Sequence, residues 1–341
     1  MRRTKSKLAH LEACLSPDVE YQKTTGLEAI QLVNQAGVDI SLNQISLESV
    51  FLTKKLRAPL MIAPMTGGVK EGRQLNQLWA RAAEHFGIAF GVGSQRIALE
   101  NPELADTFDV RSKAPTAFIC ANLGAAQIAQ GLSLDQVQKS IDMVQADALL
   151  VHFNAMQEAC QKGDVDYQNL SHSMAKLCEH FSKQKFPVLA REVCFGLSPE
   201  ATRRLLDMGF AGLDCAGAGG TSWAKVEALC ASTERQHAMA LRFGEWGIPT
   251  AQSIQNVRSV SPEIPLVATG GIRSGQDIAK ALVLGADVAA MARPMLLAAH
   301  QGEEALFQFI EDILTELKIT YFAMGKHFCK PLLSKSAITD N

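Results

Sequence analysis

IPLVATGGIRSGQDIAKALVLGADVAAMARP, residues 264–294, reads as strand, glycine turn, helix, strand and a second turn. Ser274 stands where it can cap a helix beginning near Gly275, and the pattern keeps that helix to 285. A second apolar run, 286–292, ends in Ala292-Arg293-Pro294, with Pro294 suited to the first turn of another helix. Two apolar strands joined by a helix imply parallel pairing and a right-handed crossover.

The same grammar recurs upstream. Strand-like runs occupy 58–64, 88–93, 116–124, 147–154, 187–193 and 210–217, and helical patterns occupy 71–86, 133–145, 169–184, 198–208 and 246–260. Only the short NPELADTF follows the second run. Eight strand–helix units predict a closed α/β (β/α)8 TIM barrel rather than an open sheet. Residues 1–57 are expected as an N-terminal extension covering one end of the barrel, 58–325 as the barrel with a closing helix at 302–325, and 326–341 as a C-terminal tail, all in a single domain.

Composition narrows the function classes. The 341 residues are 47% hydrophobic and 20% charged, with a net charge of −2, so no basic field invites nucleic acid. No apolar run approaches the roughly 20 residues of a membrane helix. The eight cysteines form no C-x-x-C pair and most sit in apolar runs, which suits reduced thiols in the cytoplasm. MRRTKSKLAHLEACL is basic without an apolar signal core, so Arg2, Arg3, Lys5 and Lys7 read as a solvated arm.

Chemistry in such a barrel gathers where strands end. Gly270 and Gly271 offer bare amides to an anion, with the end of the following helix behind them. Loops after the seventh and eighth strands form the usual phosphate site of such barrels, so flavin mononucleotide (FMN) becomes a candidate ligand. GAGGTSW, 217–223, adds Thr221 and Ser222 hydroxyls for the same phosphate or its ribityl chain, while Trp223 suits packing. PMTGG, 64–68, can lie along a flat ring, and the Asn122 amide can read its edge. Arg191 and Glu192 take opposite faces of the fifth strand, so alternation alone does not say which points inward. An inward Arg191 needs a partner, either a reduced flavin or a carboxylate.

On the fourth strand Leu150, His152 and Asn154 share a face, with Gln157 and Glu158 just beyond. A carboxylate beside an imidazole and amides can hold a hard cation, and Mg²⁺ favours few carboxylates plus a substrate phosphate. Arg96, in SQR, suits phosphate oxygens. The cluster thus reads as a clamp for the polar head of a second ligand.

Together PLMIAPMTGG, GVGSQRIAL, ANLGAAQ, VHFNAMQEACQKGD, GAGGTSWAKVE, EWGIPTAQSI and ATGGIRSGQDIAKALVLGAD closely resemble type 2 isopentenyl-diphosphate isomerases, from about Lys7 to Pro294. The resemblance implies a 1,3-allylic proton shift between isopentenyl and dimethylallyl diphosphate on reduced FMN. It further implies Mg²⁺, NADPH as reductant, and a homo-oligomer of four or more subunits. It assigns Gln157, His152 and Asn154 to catalysis, and Glu158 to the metal. Lys7, His10, Ser94, Gln95 and Arg96 join them around the substrate. FMN falls to Pro64, Met65, Thr66, Ser94, Asn122, Arg191, Ala216, Thr221, Gly271, Ile272, Arg273, Ala292 and Arg293.

Four positions depart from the family pattern. Ser6-Lys7 stands for Arg-Lys, Arg191 for a lysine, Ala216 for a serine and Ala155 for a proline followed by a longer loop. They motivate an alternative, an FMN-binding barrel of altered or lost isomerase activity. A 2-hydroxy-acid oxidase is disfavoured, because its His-Gly-x-Arg pairing is absent.

Overall fold

The structure, a computed structural model, describes residues 2–327, with side chains described from Lys7 onward. Readings placed on the side chains of Arg2, Arg3, Lys5 and Ser6, on Cys329 and on the tail beyond His327 lie outside that description.

Eight parallel strands close into a barrel. They are β1 (Leu60–Ile62), β2 (Ala89–Gly91), β3 (Ile119–Gly124), β4 (Ala148–Phe153), β5 (Val188–Glu192), β6 (Gly212–Asp214), β7 (Leu266–Thr269) and β8 (Val288–Met291). Strand β8 pairs with both β7 and β1, which completes the ring. Alternation sends Met61, Cys120, Leu150, Leu189, Val267 and Val288 into the barrel interior. The opposite faces of the strands bury Ile62, Phe90, Ile119 and Leu149 with the surrounding helices. The helix Lys70–Phe86 shows why that outer layer holds: Trp79, Ala82 and Ala83 bury one stripe, and Gly87 ends the helix in the left-handed conformation. Each large side chain fully removed from water there contributes about 1.5–3 kcal/mol.

The helices follow the predicted pattern with one displaced start. The helix expected from 246 begins at Thr250, because Gly247 has φ 135° and Pro249 bridges to Ala218 in extended form. The closing helix, Glu303–Ala323, packs so tightly on Gly275 that a Cβ there would lie 2.3 Å from Leu317 N. Sequence patterning missed the short helices Ala155–Gln161, Trp223–Leu229 and Glu234–Leu241, whereas the helix Arg293–Gln301 begins where Pro294 placed it.

The segment ahead of β1 reaches both ends of the barrel. Its hairpin, Ser49–Phe51 with Lys54–Leu56, buries Phe51 and Leu56 against the interior cluster, with Phe51 edge-on to Phe118 at 5.6 Å. Lys54 fastens that plug to the Ala117 carbonyl and Asp147. The helix Arg2–Leu15 lies instead at the opposite mouth, where Lys7 Nζ reaches the Ser94 carbonyl at 3.1 Å. Among the described residues, no helix is long and apolar enough to cross a membrane.

Candidate active site at the mouth of the barrel

A cavity of about 1430 Å³ opens at the carboxyl ends of the strands. It is lined by every residue that the resemblance assigned except Gln95 and Ala216. Gln95 is fully buried; its amide donates to the Ser140 carbonyl and its oxygen accepts the Asn122 N–H. Adjacency to Arg96 was misleading, since the helix beginning at Arg96 turns Gln95 into the outer layer. Ala216 is likewise fully buried and presents no surface to the cavity.

Strand β4 builds one end. Leu150 packs in the interior, so His152, two residues on, also faces inward, in register with Arg191 on β5. Asn122 Nδ2 donates to the Val92 carbonyl, leaving its oxygen 2.8 Å from His152 Nδ1. That geometry makes Nδ1 the donor and Nε2 an acceptor. Burial, with the nearby Arg191, Lys7 and Arg96 cations, pushes the imidazole down to about 3. The Asn122 side chain thus orients His152 while still lining the cavity.

Beyond β4 a chain of polar contacts crosses the cavity. His10 lies 3.2 Å from Glu227, and Glu227 accepts from Gln157 Nε2 at 2.9 Å. Asn154 Nδ2 donates to both Gln157 and Glu158, at 3.2 and 3.0 Å. Glu158 also accepts from Gln161 and from the Asp164 N–H. Two buried oxygens beside this carboxylate, Asn154 Oδ1 and Gln161 Oε1, have no partner. An oxygen-only donor set of this kind matches a hard cation such as Mg²⁺. Among the described residues no group of three or more His, Cys, Asp or Glu is placed to hold a metal.

Arg96 is clasped by Glu100 and by Asp164, which also accepts from Gln127. Burial lowers Lys7 to about 8. Glu227, Asp164 and Gln127 escaped sequence reading. Glu227 is only 3% exposed, four residues past Trp223 on the helix that ends GAGGTSWAKVE, and nothing local marks it as inward. Trp223 lines the cavity too, edge-on to His10 at 5.5 Å.

The register of β5 answers the question that alternation left open. Arg191 points inward and pairs with Asp214 on β6, Nη1 to Oδ2 at 2.6 Å. Both are buried, and burial raises the Asp214 carboxyl against the pull of Arg191. Of the two partners envisaged for Arg191, the structure supplies the carboxylate.

The far end is built from backbone. Gly270 and Gly271 have φ of 105° and 68°, and a Cβ on Gly270 would lie 2.0 Å from the Gly217 carbonyl. Ser274 does cap the helix Gly275–Val283, but Asp277 and Glu316 take the amides at its start. The helix end left for a ligand is that of Arg293–Gln301, where Ala292 makes no side-chain cap. Ser222, read as a phosphate hydroxyl, is fully buried and caps Trp223–Leu229 instead. The guanidinium groups of Arg273 and Arg293 both engage Glu20.

Residues 125–337 match the family described as FMN-dependent dehydrogenase. An isopentenyl-diphosphate delta-isomerase of a Nostoc species is 44% identical over 94% of this chain and 91% of its own length. The chain belongs to the isopentenyl-diphosphate delta-isomerase family. Its flavin-dependent type follows from the FMN-dependent dehydrogenase match. A Synechococcus relative of the same description is 46% identical, covering 93% of this chain and 90% of the relative. Solved structures share the fold: a mandelate oxidase aligns with TM-score 0.62 over 92% of this chain and 88% of its own, at 17% identity. A lactate oxidase of Pediococcus acidilactici gives 0.61 over 90% and 82%, also at 17%. Like the isomerase relatives, this chain is an isomerase carried on the barrel that those oxidases use for other chemistry.

Proposed function

We propose that the enzyme interconverts isopentenyl and dimethylallyl diphosphate by a 1,3-allylic proton shift, with reduced FMN and Mg²⁺. The observation that carries this reading is one cavity with two anion-binding ends of different construction. The Gly270–Gly271 turn and the start of the Arg293–Gln301 helix suit the cofactor phosphate. Lys7, Arg96 and His152 suit a diphosphate, and Glu158 with the Asn154 and Gln161 oxygens suits the Mg²⁺ that would bridge to it.

Pro64, Met65, Thr66, Ser94, Asn122, Arg191, Thr221, Gly271, Ile272 and Ala292 line the space between and would hold the flavin. Reduced FMN supplies, when bound, an electron-rich ring able to give and take a proton beside an alkene. The chain's own residues fix the reactants. Asn154 and Glu227 hold the Gln157 amide from both sides, so it presents one orientation to the carbon skeleton. Inward Arg191, paired with Asp214, lines the cavity and would offer its positive charge to an anionic form of the ring. His152 is held in one orientation by Asn122, and a diphosphate's negative charge would oppose the neighbouring cations that help to lower the imidazole.

NADPH is our proposed physiological reductant. The seven described cysteines are all free, which supports a reducing, cytoplasmic setting. We further propose a homo-oligomer of four or more subunits. The test is an anaerobic isomerase assay with FMN, dithionite and Mg²⁺. Conversion of isopentenyl diphosphate is expected. A yellow protein that leaves the substrate untouched favours the flavoprotein without isomerase activity.

A further inference from the structure

Arg293 was assigned to the cofactor, yet its side chain turns the other way. Nε donates to the Cys14 carbonyl at 2.8 Å, and Nη2 approaches the Ser16 and Leu15 carbonyls at 3.2 and 3.4 Å. Nη1 pairs with Glu20. These carbonyls close the helix Arg2–Leu15, so the guanidinium sits at the negative end of that helix. Glu20 completes the clasp with its other oxygen, accepting from Arg273 Nη2 at 3.0 Å. The backbone holds Glu20 still: Tyr21 N–H donates to Gly220 O, and Lys225 Nζ donates to Glu20 O at 2.6 Å. Meanwhile the Arg293 main chain begins the helix proposed to receive the cofactor phosphate.

We propose that Arg293 is a positioning residue that joins the two ends of the cavity. Its backbone belongs to the phosphate end, while its guanidinium and Glu20 clamp the arm that carries Lys7 and His10 to the diphosphate end. A helix of 14 residues is marginal alone, so its order depends on such fastenings. Its other polar fastenings, Lys7 to Ser94 and His10 to Glu227, lie nearer its start. Without the clasp, Lys7 and His10 spend less time in place, and the diphosphate is held more weakly. The inference rests on the functional reading above only for what binds at the far end.

The experiment compares wild type, Arg293→Gln, Arg293→Lys and Glu20→Gln in the full chain. Three quantities are measured: amide hydrogen exchange over 8–15, affinity for inorganic pyrophosphate with Mg²⁺ in the FMN-loaded protein, and affinity for FMN. Arg293→Gln is expected to speed exchange in the arm and weaken pyrophosphate about tenfold, the scale of losing a charged contact at a helix end. FMN affinity is expected to change less than about twofold, because the main chain at the start of the Arg293–Gln301 helix is unaltered. Glu20→Gln moves the same two readouts in the same direction by less. Arg293→Lys restores little, because one ammonium cannot reach the carbonyls and Glu20 together. Unchanged exchange in the arm overturns the clasp whatever pyrophosphate does. Loss of FMN with arm exchange intact assigns the guanidinium to the cofactor and also overturns it. Wild type that ignores pyrophosphate sinks the functional reading, while the exchange comparison still decides the clasp.

Discussion

The two ends of the cavity solve one problem, holding an anion, with different materials. The end at β7 and β8 uses main-chain amides: two glycines in left-handed conformation and a helix start without a side-chain cap. Its arginines already face Glu20. The end at β3 and β4 uses side chains, namely Lys7, Arg96, His152 and the Glu158 cluster. Amides do not titrate and need no rotamer ordering, so the first end suits a resident group. Side chains titrate, move and can be released, so the second suits a ligand that must come and go.

The sharpest way to break this contrast is Glu158→Gln. It keeps the shape that Asn154, Gln161 and the Asp164 amide surround but removes the metal's charge partner. Mg²⁺-dependent turnover is expected to fall by more than about a hundredfold, with FMN affinity within twofold, by the weight that metal sites carry in such chemistry. Equal loss of both, read by assay and fluorescence titration, would merge the two ends into one. Gly270→Ala attacks the other end. The new Cβ meets backbone at 2.0 Å and the φ of 105° strains it, so the protein is expected to lose stability. The strain is on the order of 1–3 kcal/mol. FMN affinity should drop about tenfold, by the same 1.4 kcal/mol equivalence. Intact FMN binding in a folded Gly270→Ala variant would remove the backbone site.

Lys7→Met is expected to weaken pyrophosphate about tenfold, as the loss of one charge-assisted contact does, without touching FMN. Its pH behaviour sharpens the point. Burial lowers Lys7 to about 8, so the cation is present below that value and lost above it. Pyrophosphate affinity should therefore fall as pH rises through 8 in wild type, and that step should vanish in Lys7→Met. A test of stability rather than binding concerns His152. Its folded value of about 3 lies below the ordinary 6.5, so the unfolded chain binds the extra proton between them. Stability should decline as pH falls from 6.5 toward 3, and His152→Gln should flatten that limb in urea titrations.

The same division explains what the sequence revealed. Strands and glycine turns are local, so the barrel and the phosphate loops could be read from runs such as PVLAREV and ATGGIRSG. Partners are not local. Asp214 looked like part of a core strand, and only the register of β6 against β5 brings it to Arg191. Glu227 sits 70 residues from Gln157 and 217 from His10. Gln95 failed in the opposite sense: its neighbours in SQR reach the cavity, but the turn into the next helix points it at Ser140. Arg293 shows the subtlest gap, for its position was legible and its side-chain direction was not.

The hairpin under the barrel sets a condition on throughput. With Phe51 and Leu56 wedged beneath the interior, the vessel is blind at its base. Reactant and product must share the doorway that the arm overhangs, and neither can be flushed from behind. However fast the bond rearrangement, the catalytic cycle can run no faster than that doorway clears.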